Sequence, residues 1–188
     1  KKYLLKLDLK DFFGHITYEK VYKNVFNSKH FPQFIGLTLT DFCCYKGYIP
    51  QGACTSPAIS NIVMKAFDDI MGTWCEKNEI VYTRYSDDIT FSSDKPLYAA
   101  YSKAKSLLES MGFELNTAKT KFLSSAQRQL VTGVVVNEKP NASSEYRRKL
   151  RQEVYYVLKY SWEDMTKDGI LYEDYGKYII NLIGRIDY

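Results

Sequence analysis

No stretch of this chain approaches the roughly 20 apolar residues that a membrane-spanning helix requires. The opening Tyr3-Leu4-Leu5 is cut short by Lys6 and Asp8, so it does not read as a signal peptide either. A zinc site is excluded by spacing: Cys43, Cys44, Cys54 and Cys75 form no C-x-x-C pair, and His15 and His30 stand at no zinc-like distance from them. Adjacent Cys43 and Cys44 in an apolar segment read as reduced core thiols and predict a cytoplasmic protein. Proline and glycine are sparse, at five and ten residues, and there is no Pro/Gly-rich linker, low-complexity tract or internal repeat. An initiator methionine is also missing and the chain starts inside a strand pattern, so it reads as a fragment.

Net charge is only +4, too little for electrostatics alone to announce a nucleic-acid binder. Its distribution says more. Arg147, Arg148, Lys149 and Arg151 cluster against the single Glu145, which suits a phosphate-tracking face or an ordinary solvated helix surface. The 188 residues, 45% of them hydrophobic, can bury one core with a smaller helical appendage. The 17 tyrosines and 10 phenylalanines fit a surface that stacks on bases, or packing at the margin of the core.

Alternation over Tyr3, Leu5 and Leu7 predicts a short strand delivering Asp8 at its end. Val21, Val25 and Phe26 have helical spacing, and the apolar segment from Phe34 to Cys44 fits helix or strand. A long helix is expected next, with Ser56 as N-cap, Pro57 in the first turn, and an apolar stripe through Ile59, Ile62, Val63, Ala66, Phe67, Ile70, Met71 and Trp74. Ile80 to Tyr85 and Ile89 to Ser93 read as a hairpin whose tip carries Asp87 and Asp88. Another amphipathic helix runs from Leu97 to Met111 and stops at Gly112. Short strands follow at Phe113 to Leu115, Lys121 to Leu123, Gln129 to Val131 and Val134 to Val136, and the pattern from Ser143 onward is helical. The sum is an α+β fold, an antiparallel sheet covered on one face by helices.

A strand ending in Asp8 and a hairpin tip with Asp87 and Asp88 can lie side by side in one sheet. Three carboxylates so close need a cation, or one of them must hold its proton at higher pH. Oxygen ligands without His or Cys favour Mg²⁺, with Mn²⁺ as a possible substitute. Two such ions can activate an attacking hydroxyl and neutralise a leaving pyrophosphate. Taken alone, Asp-Asp at a tip is better explained by turn preference.

The surrounding residues narrow the choice. Lys6-Leu7-Asp8-Leu9-Lys10-Asp11-Phe12-Phe13 resembles the first palm motif of reverse transcriptases, and Tyr85-Ser86-Asp87-Asp88 resembles their Y-x-D-D box. Pro50-Gln51-Gly52-Ala53-Cys54-Thr55-Ser56-Pro57 is similar to the Q-G-x-x-x-S-P loop between them. Gly112-Phe113-Glu114-Leu115-Asn116 with Lys119-Thr120 resembles the motif that follows. Arg84 to Phe91 and Val131-Thr132-Gly133 look most like bacterial retron-type enzymes, with group II intron proteins as neighbours and an abortive-infection or other antiviral defence enzyme as a further subtype. The Asn-Ala-x-x-His element that many retron enzymes carry is missing between Phe13 and Ile49.

The resemblance implies a polymerase palm over residues 1–123 with a partial fingers insertion at about 14–50, a primer-grip hairpin over 124–140, and the start of a helical thumb over 141–188. It implies an RNA-directed DNA polymerase working on an RNA template, a DNA or RNA primer and dNTPs. Asp8 and Asp87 would bind both metal ions with the Leu9 carbonyl, Asp88 would assist, and Lys119 would protonate the pyrophosphate. Phe13 would be a steric gate against ribose, and Gln51, Gly52 and Tyr85 would contact the nucleotide. Thr132 and Gly133 would hold the primer, and Arg147, Arg148, Lys149 and Arg151 the duplex backbone.

The family's nucleotide-holding fingers motifs should lie before Lys1. The fragment alone is therefore expected to polymerise weakly and to self-associate through surfaces the fingers would cover. Other readings of the same fold are a non-catalytic RNA-binding scaffold of the maturase type, an RNA-templated RNA polymerase, and a nucleotide cyclase.

Overall fold

The computed structural model describes residues 1–27, 29–30, 32–139, 141–160 and 175–186. The chain divides into two compact units, residues 1–127 and 128–188.

In the first unit the central strand is β1 (Tyr3–Lys10), where alternating apolar residues give one face to the core and the other to solvent. It continues two residues past Asp8, which therefore lies within the strand and not at its end. One edge of β1 pairs antiparallel with β3 (Asp88–Ser93), itself paired with β2 (Val81–Tyr85). The other edge is shared by two short strands, β4 (Glu114–Leu115) opposite Leu9 and Lys10, and β5 (Lys121–Ser124) opposite Tyr3 to Lys6.

Leu5, Leu7, Leu9, Ile89 and Phe91 face a core made with α3 (Ser56–Lys77) and α4 (Tyr98–Ser110). Burying each large side chain of this kind contributes roughly 1.5–3 kcal/mol. The buried face of α3 carries Ile59, Val63, Met64, Phe67, Met71 and Cys75. Ile62 and Ile70, expected within the core stripe, are 45% and 46% exposed. Ser60 is buried and Asp68 half-buried instead.

The ambiguous segment is helical: α1 (Tyr18–Val21) runs into a π-helical turn (Tyr22–Phe26), and α2 is Gln33–Cys43. A Cβ on Gly36 would lie 2.7 Å from the Phe26 carbonyl oxygen, so α2 approaches that turn as only glycine permits. The excursion starts and ends at one place. Tyr18 N donates to Gly47 O (2.8 Å), Ile49 N donates to Ile16 O (3.2 Å), and Thr17 bridges to Tyr48.

In the second unit β6 (Leu130–Val131) and β7 (Val134–Val135) form a hairpin, followed by α5 (Ser144–Lys159) and α6 (Tyr175–Ile186). Ser143 caps α5 by accepting from Tyr146 N. Arg185 of α6 pairs with Glu153 of α5 at 2.8 Å. Among the described residues no helix is long and apolar enough to cross a membrane.

Candidate active site on the open face of the sheet

Asp8 and Asp88 are direct cross-strand partners in the β1–β3 ladder. Paired antiparallel residues point to the same face, with Cβ atoms roughly 4.5–5.5 Å apart. Tyr85 pairs with Asp88 from the other side, so Tyr85, Asp88 and Asp8 form a row across three strands on the face away from the helices. Tyr85 is 75% exposed there. The turn is only Ser86-Asp87, and it is tight because Ser86 adopts φ +56°. Leu9 N donates to the Asp87 carbonyl at 3.3 Å, which ties the tip to β1 just beyond Asp8.

Two like charges directly opposite repel, and here a separate lysine answers each. Lys6 Nζ is 3.1 Å from Asp88 Oδ2. Lys119 Nζ is 3.0 Å from Asp8 Oδ1 and donates to Oδ2 at 3.2 Å. Lys119 reaches this position because the chain between β4 and β5 turns over the end of β1. Asn116 N donates to Asp8 O (2.8 Å), and Lys119 N and Thr120 N donate to Asn116 O (3.1 and 3.0 Å). The hydrogen bond to Asp8 and then the Asp8 charge hold the Lys119 ammonium above its ordinary pKa, with a smaller push from Asp87.

The donor set fits a hard divalent cation: carboxylate oxygens without His or Cys, among them a buried Asp8 Oδ1 whose charge is answered by the exposed Lys119 ammonium at 3.0 Å. The expected convergence of three carboxylates is met by the backbone only. Among the described residues no three acidic, His or Cys side chains are gathered closely enough to hold a metal, and Lys6 and Lys119 engage Asp88 and Asp8 separately.

The other expected residues of the first unit sit as follows. Phe13 is half-buried, edge-on to Phe12 at 5.2 Å between centroids, while Phe12 is fully buried and also meets Phe113. Phe12 is thus the core anchor and Phe13 lies at the margin. Gln51 and Gly52 are exposed, and Gly52 adopts φ +91° with open space where a Cβ would stand. Ser56 is not the N-cap of α3 but its first residue: Thr55 holds the cap position, and the buried Ser56 hydroxyl donates to Pro50 O at 2.6 Å. That bond braces the Gln51-Gly52 turn against the helix instead of satisfying a helix-end amide.

In the second unit Thr132 and Gly133 are the two turn residues between β6 and β7, with φ of +45° and +88°. Arg147, Arg148, Lys149 and Arg151 are all exposed on α5. At about 100° per residue the three arginines share one side, whereas Lys149 points away from them and pairs with Glu145 at 3.2 Å.

Two features were legible but passed over. Lys6 alternates with Asp8, so strand period alone puts both on one face. Arg84 falls on the helix-facing side of β2, where a charge needs a partner. It has one in Asp68 of α3, at 2.6 Å.

A sheet with carboxylates on neighbouring strands at a hairpin tip, helices behind it and an open face in front is the architecture of a polymerase palm. The family described as reverse transcriptase (RNA-dependent DNA polymerase) matches residues 1–153, and the chain belongs to that family. Its relatives include the retron Ec86 reverse transcriptase of Escherichia coli, 32% identical over 159 residues that cover 83% of this chain and 49% of that protein. The retron Ec83 enzyme of the same organism is 35% identical, covering 81% and 54%, and the retron Mx65 enzyme of Myxococcus xanthus 32%, covering 80% and 40%. These relatives bear out the retron-type resemblance, and the chain spans about half of their length. By fold it is similar to telomerase from Candida tropicalis truncated from its C-terminal domain (TM-score 0.59, 14% identity, 75% of this chain and 35% of that one). Telomerase from Candida albicans is similar to the same degree (TM-score 0.59, 15% identity, 85% and 34%).

Proposed function

We propose that the whole protein to which this chain belongs is an RNA-directed DNA polymerase that adds dNTPs to a primer 3′ end on an RNA template. The observation that carries this reading is the direct pairing of Asp8 with Asp88 and the bond from Leu9 N to Asp87 O, which join the first motif to the Y-x-D-D box. Asp8 and Asp87 with the Leu9 carbonyl would hold two Mg²⁺ ions, which Mn²⁺ could replace, and Asp88 would assist. When bound, the ions supply activation of the primer hydroxyl and charge neutralisation at the pyrophosphate. Lys119, kept protonated beside Asp8, gives its proton to the departing pyrophosphate.

Phe13 fills the space of a ribose 2′-hydroxyl. Gln51 hydrogen-bonds the nucleotide or template sugar, Gly52 lets the backbone come close, and Tyr85 borders the nucleotide from β2. Thr132 and Gly133 position the primer, because positioning is most of phosphoryl-transfer catalysis. Arg147, Arg148, Lys149 and Arg151 follow the duplex phosphates. The 188-residue chain by itself is expected to extend primers weakly and to self-associate through exposed side chains such as Phe34 and Phe42.

The test is primer extension by the full-length protein on an RNA template with a DNA primer, comparing dNTP with rNTP, with and without Mg²⁺. Incorporation of dNTP that needs Mg²⁺ and is abolished by Asp87→Asn is the expected result. Preference for rNTP, or incorporation untouched by Asp87→Asn, overturns the reading.

A further inference from the structure

The side chain of Arg84 is 6% exposed, although its strand ends at the site. Its guanidinium is used in three directions. Nε and Nη2 donate to the two oxygens of Asp68 at 2.8 and 2.6 Å, Nη2 also donates to Asn61 Oδ1 at 3.1 Å, and Nη1 donates to the Ser86 carbonyl at 3.0 Å. Asp68 is fixed from a further side by Tyr82, whose hydroxyl donates to Oδ1 at 2.5 Å. Burial disfavours the Arg84 charge, but the hydrogen bonds and charge of Asp68 more than offset this.

The Ser86 carbonyl belongs to the residue with φ +56°, immediately before Asp87. A serine in the left-handed region is strained and persists only where its surroundings hold it. The planar, forked guanidinium can grip a carboxylate with one edge and a carbonyl with another, which an ammonium cannot do at once. The other end of this link is a core helix of 22 residues.

Resting on the polymerase reading above, we propose that Arg84 is a positioning residue: it fastens the Ser86-Asp87 turn to α3 through Asp68 and Asn61, and so sets where Asp87 stands relative to Asp8. It touches no reacting atom. Its contribution is to remove freedom from a two-residue turn whose displacement would spoil the metal and nucleotide geometry. Tyr82 stabilises the same network without reaching the turn, and this separates positioning from stability.

The experiment compares Arg84→Lys and Tyr82→Phe in the full-length protein. It measures steady-state dNTP incorporation, thermal stability, and hydrogen exchange of the tip amides around Ser86 and Asp87. For Arg84→Lys, kcat is expected to fall about 10- to 100-fold, the range that a misplacement near 1 Å produces, with KM for dNTP nearly unchanged and faster exchange at the tip. Tyr82→Phe is expected to lose comparable stability while keeping both kcat and tip protection. If Arg84→Lys does not fold, Asp68→Asn, which keeps one acceptor oxygen, must shift kcat and tip exchange in the same direction. Unchanged tip exchange in Arg84→Lys or Asp68→Asn, or an equal kcat loss in Tyr82→Phe, overturns the proposal. A wild-type protein that incorporates no dNTP sinks the polymerase reading instead, while tip exchange still tests the clamp.

Discussion

Asp8 and Asp88 face each other across the β1–β3 ladder, and each is ion-paired to a different lysine, Lys119 and Lys6. The pair of acids on one face is a liability that these two cations relieve.

Lys6 tests that relief. Its side chain and that of Asp88 are 22% and 27% exposed, so their ion pair is only partly screened. Replacing Lys6 with Met is expected to cost roughly 1 kcal/mol at low salt. Added Mg²⁺ should then raise the melting temperature more in Lys6→Met than in wild type. Equal Mg²⁺ responses in a melting titration would show that Lys6 does not relieve the acidic pair.

Lys119 gives a pH signature. Its pKa is raised above the ordinary 10.5 in the folded protein, first by the hydrogen bond to Asp8 and then by the Asp8 charge. A raised lysine contributes stability that is complete below the unfolded value and is lost as pH climbs through the folded one. Urea midpoints of wild type and Lys119→Met should therefore differ by a constant amount near neutral pH and converge at alkaline pH. Parallel curves across that range would contradict the ion pair.

Phe12 and Phe13 should separate cleanly. Phe12→Ala removes a fully buried ring and is expected to cost about 3–5 kcal/mol in unfolding free energy. Phe13→Ala removes a half-buried one and should cost about half as much. Only Phe13→Ala is expected to admit ribonucleotides in the full-length enzyme, read as the ratio of rNTP to dNTP incorporation. An unchanged ratio removes the gate assignment.

Thr132 is β-branched, yet it adopts φ +45° in a two-residue turn, where Asn or Gly is the residue that fits. Thr132→Asn is expected to raise stability by about 1 kcal/mol in chemical unfolding. If Thr132 meets the primer, the same variant should raise KM for primer. A destabilised Thr132→Asn would mean that the turn gains from the threonine side chain more than the strain costs.

Much of this molecule was legible in the sequence because its periods are local. The alternation in β1, the apolar arms around Ser86-Asp87 and the stop at Gly112 follow from side-chain direction and backbone freedom, which neighbouring residues fix. Motif order likewise placed Asp8, Asp87, Asp88, Gln51 and Gly52 within one family. Other features required the assembled fold. That α2 is a helix goes with its close packing on the π-helical turn at Gly36, that Ser56 braces a loop and does not cap rests on its bond to Pro50 O, and that Ile62 and Ile70 face outward depends on which side of α3 packs into the core.

The sequence by itself determined the strand and helix periods, the motifs and the family they belong to, since these lie in short runs of residues. Tertiary structure alone decided that Lys6 and Lys119 neutralise Asp88 and Asp8, and that Arg84 holds the hairpin tip to a helix. Such partners stand between 16 and 111 positions apart in the chain, and only the pairing of strands and the packing of α3 on the sheet bring their charges within reach.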